Sequence, residues 1–284
     1  MKVCLVPICY NSHSDALSLL DSIESAYGAC SGLELEVVLC DNSTVPSLFD
    51  ISLQAYSYSF KYFKSDNIGY FPAFNNSLSK LSSKIECYDY VVVCNVDLEI
   101  AEDFFSVLQS TMLSSDIGLV APGIFSGNDG RDLNPKIMRR PSLLKTNFMR
   151  IICSSPYVFF WYRKLARLRE IRRSRLQARV RSSVVSDATV NDECMYGAHG
   201  SFMVFTKSYF VKGGSVNYPR FLFGEECFVA EQLLEHGLKI KHLRSLRVFD
   251  KEHASTSREG LAFICSEHKK SYDFFYDQYL KKKN

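Results

Sequence analysis

Apolar positions in the first half of the chain follow two alternating rhythms. Short continuous runs occur at Val3–Cys9 (VCLVPIC), Leu35–Cys40 (LEVVLC), Phe60–Lys64, Tyr90–Cys94 and Gly118–Ala121. Their length and β-branched content predict strands buried on both faces. Between them the apolar spacing becomes helical. Ser14–Tyr27 places Leu17, Leu20, Ile23 and Ala26 on a face, with Ser14 as the expected cap, and Ala101–Leu113 reads as a second helix. Strand and helix in alternation predict an α/β fold: a mainly parallel central sheet flanked by helices. After Gly130 the rhythm breaks. Strand character returns at Met195–Thr206, a helix is expected from Glu225 to His236 with Gly237 in the stop position, and a strand over Ile240–Phe249. The chain closes on a helical SYDFFYDQYL and a run of lysines.

Composition adds little except through its distribution. With 284 residues, 46% of them hydrophobic, the chain has enough apolar surface for a sizeable core. The opening MKVCLVPICYNS is too short and too polar for a secretory leader, and no window approaches the ~18 apolar residues of a membrane span, so the chain reads as intracellular. Ten cysteines with no CxxC spacing fit small buried hydrophobes kept reduced better than a zinc site. The net charge is +3, yet Arg139 to Arg181 holds thirteen Lys/Arg against one acid, Glu170, leaving an acidic remainder. Such asymmetry suggests an anionic partner, either nucleic acid or a membrane with anionic lipid.

Ligands of open α/β sheets bind beyond the carboxyl ends of the strands. Here the first, second and fourth strand runs end CYNS, CDNST and CNVD. One Asn or Asp ending is ordinary turn chemistry. Three on the same rim make a polar cleft. The last of them, VVVCNVDLEI, ends a run of valines on Asn95 and Asp97, which serve either as a strand-to-turn ending or as ligands.

Further stretches follow in order: SDNIGYFPAFNNSL, YGAHGSFMVFTKSYF, FLFGEECFVAEQLLEHG and VFDKEHASTS. Together with the strand endings they resemble the motifs of inverting family 2 glycosyltransferases with the GT-A fold. The pattern is closest to bacterial enzymes of O-antigen or capsular polysaccharide synthesis of the rhamnosyltransferase type. The resemblance spans roughly residues 2–125 and 194–257. It implies transfer of a sugar from a UDP- or dTDP-sugar to a saccharide on a polyprenyl diphosphate lipid. It also implies one domain over 1–284: a nucleotide-binding half (1–125), a basic helical insertion (139–183), an acceptor and catalytic half (194–257) and a C-terminal helical tail (258–284).

The residue roles are those the resemblance implies. NVD stands at the family's metal motif, with Asp97 the carboxylate for Mn²⁺ or Mg²⁺ and Asn95 touching ribose or orienting Asp97. The first acidic position of that motif is absent. Hard oxygen donors suit either cation, which would stabilise the leaving diphosphate. Asp41 would accept the N3–H of uracil or thymine, or close an Asx turn. Pro7 and Tyr10 would flank the base. Asn67 and Gly69 form a turn that lets backbone approach the nucleotide, and Asn75 faces the same cleft. Gly197 and Gly200 permit close approach of the sugars, and His199 either hydrogen-bonds one or is structural. Glu226 aligns with the base that takes the acceptor's proton, and Glu225 is its neighbour. Two adjacent carboxylates repel, which raises one pKa, although acids in a first helical turn also favour the helix dipole. Phe228 and Gln232 replace the Asp and Arg of many relatives, which leaves the choice of base open between the two glutamates. His253 would be a second metal ligand or a diphosphate contact, with Ser255, Thr256 and Ser257 near phosphate.

The basic segment is apolar first and arginine-rich after. It could lie at a membrane interface or pack on the core as a solvated helix. This implies a peripheral enzyme on the inner face of the cytoplasmic membrane. The competing readings are a non-catalytic scaffold whose basic segment binds membrane or RNA, and a nucleotidyltransferase. No RNA-binding signature and no Gly-rich loop after the first strand supports either, so a nucleic-acid partner is not expected.

Overall fold

The computed structural model describes residues 1–46, 51, 54–181, 195–251 and 260–281. It divides into two compact units, Met1–Arg140 with Cys194–Ser257, and Pro141–Glu193 with Arg258–Asn284.

The first unit is built on β1 (Lys2–Cys9), α1 (His13–Gly28), β2 (Glu34–Asp41), β3 (Ser59–Lys64), α2 (Tyr70–Ser77), β4 (Tyr90–Asn95), β5 (Leu98–Ile100), α3 (Phe104–Ser110) and β6 (Ile117–Ser126). The second unit supplies α4 (Leu143–Ile152) and α5 (Pro156–Arg181). The first unit resumes with β7 (Phe202–Thr206), α6 (Lys207–Val211), α7 (Glu225–Glu235) and β8 (Lys239–Asp250). Helix α8 (Leu261–Phe275) returns to the second unit.

The eight strands form one sheet in the order β3-β2-β1-β4-β7-β6-β8-β5. Its first four strands are mutually parallel. β7 runs antiparallel to both β4 and β6, β8 parallel to β6, and β5 antiparallel to β8. Four of the seven pairings are parallel, as expected, and the antiparallel ones begin at β7. β1 and β2 are buried almost end to end, as their continuous apolar runs predict. β3 is one of the two edge strands and carries Lys61 and Lys64 among its aromatics, which discourages pairing with another chain.

Four expectations change. The helix expected over Ala101–Leu113 shortens to α3. α1 starts at His13, so Ser14 lies inside the helix, and the residue at the cap, Ser12, makes no side-chain cap bond. β5 escaped notice because three residues carry no periodicity. Strand character over Met195–Thr206 is confined to Phe202–Thr206. Residues 195–201 are irregular, since they pair with the loop at Ile137 instead of a strand: the amides of Tyr196 and Gly197 both donate to Ile137 O, and Ile137 donates to Gly197 O.

The core of the first unit continues across the sheet as aromatic packing. Phe205 of β7 is fully buried, with ring centroids 5.8 Å from Phe74 and 4.8 Å from Tyr209. On the other side Phe104 meets Phe105 and Phe202 edge to face at 5.3 and 5.6 Å. The second unit has a smaller core of Met149, Cys153, Phe159 and Cys265. Truncating Phe205 to Ala removes a fully buried ring that packs against Phe74 and Tyr209. The expected cost is about 3–5 kcal/mol, read as a lowered urea midpoint at unchanged slope.

Candidate active site

Parallel register sets the rim. Cys9 pairs with Asp41, Asp41 with Lys64, and Ile8 with Asn95, so the four strands end at one level. Pro7 is buried within β1 opposite Cys94 of β4, and Tyr10 follows the strand, half-buried. Asn11 has a left-handed backbone (φ 53°) and ties the first two strand ends together. Its Oδ1 accepts from the amides of Thr44 and Val45 at 3.0 and 3.1 Å, and its own amide donates to Ser43 Oγ at 2.8 Å.

Asp41 is buried and already well supplied with donors. Oδ1 accepts from the Ser43 amide at 2.9 Å. Oδ2 takes the Tyr62 hydroxyl at 2.8 Å and the Lys64 ammonium at 3.0 Å, and contacts the His13 ring at 3.2 Å. Burial alone would raise its pKa, but the hydrogen bonds from Ser43, Lys64 and Tyr62 outweigh it and hold the carboxyl at about 2. A base N–H reaching Asp41 therefore has to replace a donor, and His13 is the most weakly held. Cys9, His13 and Asp41 each offer one ligand atom, all within 4.8 Å of one another. Lys64 already balances Asp41, and burial pushes the Cys9 thiol up to about 11, so this trio is a poor host for a hard divalent cation.

The turn before α2 carries Asn67, half-buried, and Gly69 at φ 98°. A Cβ on Gly69 would lie 2.2 Å from Phe221 O, and the Tyr70 amide donates to that carbonyl. The glycine thus admits the Phe221 backbone, which accounts for it without a nucleotide. Asn42 braces the same turn by donating to Gly69 O at 3.1 Å. Asn75 is exposed on α2.

A second cluster forms where β4, the 195–201 segment and the start of α7 converge. Asn95 ends β4 and donates its amide to Ser201 O at 2.9 Å. Asp97 is 8% exposed in the short link to β5, its carbonyl accepting from the Lys251 amide. A Cβ on Gly200 would fall 2.9 Å from Glu225 Oε1 and 3.2 Å from Glu226 Oε1, so its missing side chain is the space both carboxylates use. Gly197 makes the same allowance for the Glu226 backbone, 3.3 Å from its would-be Cβ. The Tyr70 hydroxyl donates to Gly200 O at 2.9 Å. Burial raises the Tyr70 pKa, and the charges of Cys94, Glu225, Asp97 and Glu226 raise it further, which sets Tyr70 within electrostatic reach of all three carboxylates.

The two glutamates open α7 behind Gly224 (φ 91°). Burial first, and Glu226 second, push Glu225 up to about 8; Lys136 opposes both. His199 precedes Gly200 in the chain. Its amide donates to Asn134 Oδ1 at 2.8 Å, and its Nδ1 receives the Ser201 amide at 3.2 Å with Ser201 Oγ 2.8 Å away. An accepting Nδ1 leaves the proton on Nε2. Burial, aided by Lys136, lowers its pKa to about 3, so His199 stays neutral and offers an N–H rather than a charge. His253, with Ser255, Thr256 and Ser257, lies outside the described residues.

Behind α7, Arg140 grips the buried Glu231 through two bonds of 2.5 and 2.8 Å, and the Tyr196 hydroxyl adds a third at 2.7 Å. This fixes the helix that presents Glu225 and Glu226. Tyr70, Lys136, Asn134 and His13 escaped sequence reading. Tyr70 stood inside a quoted motif, but its partner Gly200 is 130 residues away.

The polar rim at the parallel strand ends and the carboxylates at β4 and α7 lie where ligands of α/β sheets bind. The family model described as "Glycosyl transferase family 2" matches residues 4–177, more than half of the chain, and the chain belongs to that family. No curated protein matches. Among solved structures, S. aureus TarS 1-349 in complex with UDP-GlcNAc superposes with a TM-score of 0.55 at 14% identity, over 95% of this chain and 61% of that one. GalNAc-T7 with UDP, GalNAc and Mn²⁺ gives 0.56 at 14% identity, over 98% and 49%. The chain thus spans less than two thirds of either relative, and the likeness is one of fold.

The raised Glu225 pKa has a consequence for stability. The folded chain keeps a proton that the unfolded chain releases at its ordinary value of 4.5. Stability from this group is full below that value and is lost as pH rises toward about 8. The slope is at most about 1.4 kcal/mol per pH unit. Glu225→Gln keeps the shape without the charge. Melting temperatures of the two proteins should diverge from pH 5 to 8, the variant gaining as pH rises; parallel curves would contradict the assignment.

Proposed function

We propose that this chain transfers a sugar, hexose or rhamnose, from a UDP- or dTDP-linked donor to a saccharide carried on a polyprenyl diphosphate lipid, with inversion at the transferred carbon. The setting is assembly of bacterial O-antigen or capsular polysaccharide, at the inner face of the cytoplasmic membrane. One observation carries the reading: the carboxylates of Glu225 and Glu226 meet in the space left by Gly200, within electrostatic reach of Asp97 through Tyr70. That arrangement supports one acidic group for the leaving diphosphate and another for the attacking hydroxyl.

The oxygen of Asp97, with Asn95 beside it, suits Mn²⁺ or Mg²⁺, and the buried negative surroundings favour a hard cation there. Such an ion, when bound, supplies Lewis-acid stabilisation of charge on the diphosphate. The chain's own groups do the rest. Asp41 takes the base N3–H in place of His13, between Pro7 and Tyr10. Asn67 and Asn75 border the nucleotide side, and His199 donates its Nε2–H to a sugar oxygen. Glu226 receives the acceptor's proton as the new C–O bond forms and the sugar–phosphate bond breaks, the electron pair leaving with the nucleoside diphosphate. Glu225, protonated at neutral pH, spares Glu226 a second negative charge.

Glu226→Gln is expected to lower kcat by about 10²–10⁴ with little change in donor KM. Glu225→Gln should retain turnover and remove the inflection near pH 8 from the rate profile. Loss of turnover only in Glu225→Gln would exchange the two roles. Full activity in both would overturn the proposal.

A further inference from the structure

Among the described residues, sixteen large hydrophobic side chains are exposed, and nine of them lie between Leu143 and Leu168. They are ordered. On α4, Leu144, Phe148 and Ile151 recur at helical spacing and are 82%, 52% and 70% exposed. On α5, Tyr157, Trp161, Leu165 and Leu168 do the same, each about half exposed or more. The opposite faces of both helices carry Met149, Cys153 and Phe159, which pack with Cys265 of α8. Each helix therefore has two apolar faces, one buried and one open to water, and an exposed contiguous apolar stripe of this kind marks an interaction surface.

Charge selects the partner. Lys164 and Arg169 are exposed and border the α5 stripe, and Lys164 Nζ sits 4.5 and 5.4 Å from the ring centroids of Phe160 and Trp161. In the sequence the same helical spacing continues past Leu168 as Arg172, Arg175 and Arg179. Acids on α8 are compensated within the unit: Asp273 by Arg150 and Lys269, and Glu267 by Lys270. An apolar and aromatic stripe grading into arginine fits a surface that is oily below and anionic above. A second copy would bring like charge against like. An RNA backbone would find nothing to bind along Leu144, Ile151 and Leu165.

We propose that the exposed faces of α4 and α5 form a docking surface for a bilayer containing anionic phospholipid. The helices lie in the plane of the interface. Leucine, isoleucine and aromatic side chains enter the headgroup boundary, and lysine and arginine meet the phosphates. No described helix is long and apolar enough to cross a membrane. The surface rests on these residues alone, so it stands or falls separately from the sugar-transfer reading.

The chain carries a single tryptophan, and it is Trp161. The full chain is mixed with vesicles of phosphatidylcholine alone or with phosphatidylglycerol added. With the anionic vesicles, Trp161 emission should shift to shorter wavelength, be quenched by brominated acyl chains, and weaken its response in high salt. Cosedimentation should favour the anionic vesicles at least about ten-fold. Ile151→Ser with Leu165→Ser alters only exposed positions; circular dichroism should be unchanged and binding should fall about ten-fold or more. The proposal is overturned if Trp161 emission and sedimentation ignore anionic vesicles. It is equally overturned if the shift follows protein concentration without lipid, which marks self-association, or if only RNA produces it.

Discussion

Parallel pairing of four strands is the constraint on which the site depends. β1 holds β2 on one side and β4 on the other, in a register that brings Cys9, Asp41, Lys64 and Asn95 to one level. In a parallel ladder all carboxyl ends face the same way, so polar residues placed after each strand converge without any contact between their own loops. The loops then lock. Asn11 holds the β2 ending, Asn42 the Gly69 turn, and the Phe221 backbone fills the space that Gly69 leaves open. A one-residue slip in any of these pairs would carry the rim residues to the other face of the sheet, away from their partners.

The second half of the site is made by omission. Gly200 has no side chain where two carboxylates need to be, and Tyr70 donates to its carbonyl from the far side. Bringing Glu225 and Glu226 together out of water costs free energy that the chain could avoid with neutral residues. That cost shows as a carboxyl raised to about 8. The Arg140–Glu231 pair, closed by Tyr196, anchors the helix that bears the strain. The carboxylates of Asp41 and Glu225 differ for a stated reason. Asp41 is surrounded by donors and stays ionised, whereas Glu225 faces another acid and keeps its proton.

How much of this was legible varied with the range of the interaction. Strands buried on both faces announce themselves, and β1, β2, β3 and β4 fall within one residue of their apolar runs. The acidic pair at the start of α7 was visible as a helix opening, and Gly200 as a place of close approach. Their juxtaposition was not, because 25 residues and a change of element separate them. Of the donors around Asp41, the Ser43 amide closes the Asx turn that the sequence suggests, whereas His13, Tyr62 and Lys64 come from α1 and β3 and no local pattern reveals them. Gly69 was legible as a place of close backbone approach, but not that Phe221 is the backbone packed against it. Residues 195–201 look strand-like from their apolar content, and only the competing pairing with Ile137 shows otherwise.

The central claim is that Asp97, at the end of VVVCNVD, belongs to a nucleoside-diphosphate site. Calorimetric titration with UDP and dTDP, in Mn²⁺, in Mg²⁺ and in EDTA, tests it most directly. The account predicts binding that needs the divalent cation and is lost in Asp97→Ala, with folding unaffected. Binding of neither nucleotide under any condition, or equal binding by the variant, would contradict it.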